Sequence, residues 1–156
     1  RVLMVMRGSN DVRPDLPGYR WYAMSEDCGW TFGDVLPWTD TLEVPLHSPS
    51  SCSQLLDHSG GRLFWLGNLC EGNPRGNSPR YPIVIAEVDR GTGLLKSDTI
   101  TVIDDRQPGE SEHLTLSNFH AREERSSGDI LLYLTRYYAQ IRTFEADNIV
   151  YRIATD

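Results

Sequence analysis

The sequence predicts an all-β chain built as an array of similar four-stranded antiparallel sheets, and three observations lead there. Alternating apolar strands recur at 19–32 (YRWYAMSEDCGWTF), 81–95 (YPIVIAEVDRGTGLL) and 149–156 (IVYRIATD), each ending two or three residues before an Asp. A matching strand precedes each, at 2–7 (VLMVMR), 62–68 (RLFWLGN) and 129–136 (DILLYLTR), and comparable hairpin arms at 50–61 and 116–128 precede the last two. Third, the connections are lopsided: those within the 57–61 and 124–128 hairpins are short, whereas 8–18, 38–49, 69–80, 104–115 and 137–147 are long and polar. Radial repetition of such sheets is the plan of a β-propeller. The expected fold class is therefore all-β, with propeller blades of four antiparallel strands at roughly 1–38, 50–103 and 116–156 of a single domain.

The elements follow in order. Strand 2–7 alternates Val, Met and Leu without a turn former, and 19–25 repeats the pattern before the most informative stretch of the chain, Ser25-Glu26-Asp27-Cys28-Gly29-Trp30-Thr31-Phe32. Each constant position there has a task. Asp27 accepts hydrogen bonds from the backbone of its own turn and Gly29 supplies positive φ. Thr31 and Phe32 begin an extended strand whose ring packs back over the turn. The second unit runs through 50–61, 62–68 and 81–88 to a turn at Asp89, and the third through 116–128, 129–136 and 149–153 to Asp156. Corresponding positions such as Arg62 and Asp129 are further apart than the roughly 40 to 50 residues of compact blade repeats, the surplus sitting in loops. The chain opens in mid-strand and ends in a box-like turn, so further blades of the same propeller are expected upstream.

The motif Ser25-x-Asp27-x-Gly29-x-Thr31-Phe32 resembles the Asp-box of the sialidase superfamily and of related Asp-box (BNR) repeat propellers, of which this chain looks like a C-terminal portion. The resemblance implies a glycoside hydrolase acting on terminal sugars, with an arginine cluster holding the substrate carboxylate and a tyrosine–glutamate pair opposite an aspartate acid/base. It places Arg20 and Arg80, each opening a strand that leads to an Asp turn, as members of that cluster. The nucleophile does not carry over. Its place falls on Asn118-Phe119-His120, where a phenylalanine cannot bond a sugar, the partner glutamate falls on 50–54 (SSCSQ), and the aspartate falls upstream of Arg1. The family's usual setting leans toward an extracellular or periplasmic compartment.

The residues themselves supply a polar, histidine-bearing pocket. Alternation along 116–122 sends Ser117, Phe119 and Ala121 to one face and Asn118, His120 and Arg122 to the other. His120, titrating near neutrality, is the candidate general acid or base. Arg7, Arg20, Arg75, Arg80 and Arg136 are the candidate carboxylate ligands, joined by Tyr81 and Asn118 in sugar recognition. The loop 73–81 (NPRGNSPRY) is too polar for a core and too rich in proline for a slack linker. Three functions stay open: a sialidase-like hydrolase, a uronate polysaccharide lyase on the same scaffold, and a non-catalytic glycan-binding propeller.

Composition bounds the rest. At 156 residues and 39% hydrophobic the chain can build a domain core, and no apolar run reaches transmembrane length. A net charge of −7, with Lys96 the one lysine, argues against nucleic acid as partner; carbohydrate, including an acidic glycan, is the partner the resemblance implies. Cys28, Cys52 and Cys70 form an odd set without metal-ligand spacing. Acidic pairs such as Asp104-Asp105 lack a calcium-loop spacing, so neither metal nor cofactor is expected.

Overall fold

A computed structural model describes residues 1–138 and 146–155. It is all-β: ten strands in three antiparallel sheets, with one 3₁₀ turn at Ser97–Thr99 and no α-helix among the described residues. The first sheet has the order β1 (Val2–Arg7), β2 (Arg20–Ser25), β3 (Leu36–Pro37). The second is a four-stranded meander of β4 (Gln54–Asp57), β5 (Leu63–Asn68), β6 (Ile83–Val88) and β7 (Thr101–Asp104). The third pairs β8 (Leu114–Glu123), β9 (Ile130–Tyr138) and β10 (Asp147–Ile153). No helix here is long and apolar enough to cross a membrane, among the described residues.

The second sheet lies in the middle, and its composition says why. Strands buried on both faces read as continuous apolar runs, whereas strands with one wet face alternate. In β5 and β6, Phe64, Leu66, Ile83 and Ile85 pack with Leu116, Ile130 and Leu132 of the third sheet. The intervening Trp65, Val84, Ala86 and Val88 pack with Trp38, Leu46 and Leu95 on the other side. Trp38 meets Trp65 edge to face at 5.4 Å and donates its indole N–H to Gly93 O at 2.7 Å. Gly67 interrupts the apolar run because a Cβ there would come within 2.3 Å of the Trp65 ring.

Between the second and third sheets the inner strands are tied directly. Gln54 Nε2 donates to Ala121 O at 2.6 Å, and Ala121 N–H donates to Gln54 Oε1 at 2.9 Å. At the short-turn end, Gly60 N–H donates to His58 Nδ1 at 3.0 Å, which leaves the ring proton on Nε2, 2.6 Å from Gly128 O. The long connections gather at the opposite end. Asn10, 3% exposed, donates to Leu16 O and Pro74 O and accepts from Gly76 N–H, each at 2.8 Å, so the 8–18 and 69–80 loops form one ordered cap.

The Asp turn after β2 is a closed hydrogen-bonded ring. Ser25 Oγ donates to Asp27 Oδ1 (2.7 Å) and accepts Gly29 N–H (2.8 Å), while Thr31 donates its N–H (2.9 Å) and hydroxyl (2.7 Å) to the same carboxylate. Cys28 (φ 62°) and Gly29 (φ 93°) turn the chain. A shorter version holds the turn after β6, where Thr92 N–H and hydroxyl both reach Asp89 Oδ1 at 2.7 and 2.9 Å. The expected strand at Thr31 and Phe32 does not form. Both residues lie in the turn exit, because Thr31 is held by Asp27 and Gly33 N–H returns to Met24 O at 2.9 Å, and β3 begins only at Leu36. The third Asp turn, at Asp156, and most of the 137–147 connection lie outside the described residues.

These turn bonds hold the Asp27 carboxylate at about 2, first through the Thr31 N–H and then through the Thr31 and Ser25 hydroxyls. A carboxyl group depressed on folding stabilises the native state above its unfolded value near 4 and loses that contribution as pH falls toward 2. Asp27→Asn is therefore expected to lower the melting temperature at pH 7, with the gap to wild type closing between about pH 4 and pH 2; a gap independent of pH in thermal circular-dichroism scans would contradict it.

Candidate functional site

Arg20 opens β2 opposite Arg7 in the β1–β2 register, at the end of the sheets that carries the long loops. It is 1% exposed. Its Nε donates to Ser48 Oγ (2.9 Å), and its Nη2 to Ser51 O (2.8 Å), Pro49 O (3.3 Å) and Ser51 Oγ (3.3 Å). The guanidinium carbon sits 5.8 Å from the centre of the Trp65 ring. Burial pushes this arginine down to about 10, and no carboxylate pairs with it among the described residues. Arg20 thus acts as an interior staple on segment 48–51, which carries the chain from the first sheet into β4.

That segment organises its neighbours. Ser50 N–H donates to Gly76 O at 2.7 Å, and its carbonyl takes a long bond of 3.4 Å from Arg7 Nη1. With the Asn77 amide turned so that its NH₂ also meets Ser50 O, the Asn77 side-chain oxygen accepts Arg80 Nη2 at 2.9 Å, while Arg80 Nε donates to Asn77 O at 3.1 Å. Two residues on, Cys52 Sγ accepts the Asn118 N–H at 3.1 Å and lies 3.4 Å from Ser117 Oγ. Arg7, Arg80 and Asn118 are so brought together around residues 50–52, although they come from three different sheets or loops.

A bulge in β8 sets Asn118. The β8–β9 register slips between Ser117 and His120, and Asn118 takes φ 58°, a conformation asparagine tolerates better than most residues. Its side chain is thereby exposed beside Arg80, in a recess of about 290 Å³ also lined by Ser78, His113, Thr115 and Tyr137. One guanidinium, one amide and several hydroxyls face a space the size of a single sugar ring. Glu112 stands at the rim, its Oε1 3.7 Å from His113 Nε2.

Asn68 fixes this arrangement from below. The two N–H groups of this fully buried amide are shared among three carbonyls, Arg80 O (3.1 Å), Pro82 O (3.1 Å) and Leu116 O (2.9 Å), so one side chain at the end of β5 sets both the Arg80 segment and β8. Leu116 N–H returns a bond to Arg80 O at 2.9 Å.

The other expected site residues lie apart. His120 is exposed opposite Tyr133, beyond the bulge and outside the recess, with no hydrogen bond or ion pair to the described residues. Arg136 donates to Asp104 through Nη1, and through Nη2 to both oxygens of Glu110 at 2.7 Å. Tyr138 donates to Glu110 at 2.8 Å, and Tyr151 donates to Asp104. The Gln107 N–H and then Arg136 hold Glu110 at about 2, and burial followed by the Asp104 bond lifts Tyr151 to about 12. The cluster is a tie between β7 and the third sheet. Tyr81 faces a different recess with Arg106 above its ring at 5.5 Å, and Arg75 is exposed at the loop tip.

Sequence reasoning missed the roles of Ser48, Ser51 and Cys52, small residues whose only signal was a Ser/Pro-rich stretch after a long loop, whereas Asn77 lies in the 73–81 loop already singled out. Among the described residues no group of His, Cys, Asp or Glu could hold a metal ion. No protein-family model, no curated protein and no solved structure matches the chain.

Asn68→Ala should lower unfolding stability by about 2 kcal/mol, roughly 1 kcal/mol for each buried N–H donor removed. Urea unfolding giving less than about 1 kcal/mol would mean that the Arg80 and Leu116 carbonyls find other donors.

Proposed function

We propose that this chain is part of a β-propeller of the Asp-turn type and that the Arg80 recess binds the carboxylate-bearing end of an acidic glycan. Three antiparallel meanders joined face to face, with inner strands β4 and β8 side by side and the long connections at one end, suit a radial array. β1 has no second neighbour among the described residues, an edge that the innermost strand of the same four-stranded blade would cover in such an array. The observation that carries the ligand assignment is the lining of the recess. A guanidinium that keeps N–H groups beyond its Asn77 bonds sits among Ser78, Thr115 and Asn118, which matches a carboxylate flanked by hydroxyls.

Binding without turnover fits the residues better than hydrolysis. Glycoside hydrolysis by paired carboxyl groups needs two of them roughly 5 to 9.5 Å apart across a sugar ring. Asp104 and Glu110 are taken up by Arg136, which leaves Glu112 as the carboxylate at the recess. Sialidase-like hydrolysis is the second reading, favoured by the Glu112–His113 contact at the rim, an imidazole and a carboxylate within reach of one ligand.

Titration calorimetry with an oligosaccharide ending in a sugar acid, and with its reduced, uncharged counterpart, tests the assignment. The acid is expected to bind and the neutral sugar to bind at least about tenfold more weakly, with Arg80→Ala erasing the difference and His120→Ala leaving it intact. Equal affinity for the two sugars overturns the carboxylate assignment, and release of new reducing ends from the acid moves the protein to the hydrolytic reading.

A further inference from the structure

A second concavity crosses the loop end of the middle sheet, on the other side of the segment that carries Arg80. Ser78 and Arg80 face the recess described above, whereas Pro79 and Tyr81, alternating with them, face this one. It consists of two hollows of about 430 and 510 Å³ that share Leu69, Cys70 and Glu71 as a common wall. The first is bounded by Tyr19, Val44, Pro45, Leu46 and His47, the second by Pro79, Tyr81, Pro82, Val102 and Asp105. Each falls within the volume range of sites that hold a bulky organic group.

The walls are firm and mostly apolar. Tyr19 stacks on His47 with ring centres 5.1 Å apart, and Cys70 N–H donates to His47 O at 2.9 Å. The Cys70 thiol points its one S–H toward Pro79 O (3.7 Å) and Tyr81 O (4.0 Å), and burial pushes it up to about 11, so it adds no charge. Val44 and Val102 are each 54% exposed at the two ends. The Asn73 amide is already used, accepting Gly18 N–H at 2.6 Å and donating to Leu16 O at 3.1 Å. Two carboxylates here have no ion pair among the described residues: Glu71, between the hollows, and Asp105 at the second, which accepts the Arg106 N–H at 2.7 Å while the Arg106 guanidinium lies over the Tyr81 ring.

We infer that this groove binds an extended peptide segment in which a lysine or arginine, set over Glu71, separates two apolar side chains that fill the hollows. Two apolar seats with Glu71 between them and Asp105 at the edge of the second complement an apolar–basic–apolar ligand, and a chain of net charge −7 favours a cationic partner at long range. A sugar is the poorer fit, since hydroxyls entering here would lose water and find few free partners. Proline- and tyrosine-lined grooves also suit extended backbone, which leaves little entropy to lose on docking.

Panning a random heptapeptide phage library on the intact protein, followed by fluorescence anisotropy of the enriched peptides, tests this. Enriched sequences should carry one basic residue flanked by apolar ones. Their affinity should fall at least about tenfold with Val102→Asp, which sets a carboxylate in an apolar seat, and about threefold with Glu71→Gln. Arg80→Ala should change it little. Both groove substitutions are at exposed positions, and unchanged circular dichroism checks that the fold survives. No enrichment, enrichment of acidic peptides, or affinity indifferent to both groove substitutions overturns the inference, and none of these outcomes bears on the acidic-sugar site.

Discussion

The loop end of this molecule depends on one buried guanidinium. A charge taken out of water without an opposite charge is costly, and it persists only where oxygen acceptors surround it. Arg20 meets that requirement with the Ser48 hydroxyl, the Pro49 and Ser51 carbonyls and the Trp65 ring face. The segment that supplies those acceptors has in turn no freedom to lie elsewhere. Because 48–51 is fixed, Ser50 presents its carbonyl to Arg7 and Asn77, and Cys52 presents its sulfur to Asn118. The recess at Arg80 is thus built outward from an arginine that does not itself line it.

The middle sheet supplies the rigid footing for that construction. Its two faces bury different side chains against different neighbours, so β5 and β6 cannot shift by one residue without exchanging the two packing sets. Asn68, the last residue of β5, transmits this register to the Arg80 segment and to β8 through three carbonyls. Strand register, buried amide and exposed binding groups form one chain of constraint. The opposite end is simpler, with short turns closed by local bonds at Asp27, Asp89 and His58.

The strands were legible in the sequence because alternation and continuous apolar runs are local signals, and so was the Asp27 turn, whose donors all lie within four residues. The site was legible only in part. Arg20 and Arg136 read as ligands for a carboxylate because nothing local reveals their partners. Those of Arg20 come from 28 to 31 residues away, and those of Arg136 from 26 and 32 residues away across a sheet boundary. Arg80 and Asn118 were named, but their proximity depends on the Asn68 amide and on a bulge that strict alternation along β8 does not foresee. His120 is exposed, but the bulge before it breaks the alternation that put it on one face with Asn118, and it lies outside the recess.

Hydrogen–deuterium exchange on Arg20→Gln, which keeps a polar side chain but shortens it and removes the charge and the fork of donors, addresses the anchoring role most directly. Amides of 48–52, 76–80 and 117–118 should exchange faster than in the wild type, while those of β5 and β6 keep their protection. Unchanged protection at 48–52 and 76–80 would contradict the account, because the loop end would then be held by something other than the buried arginine.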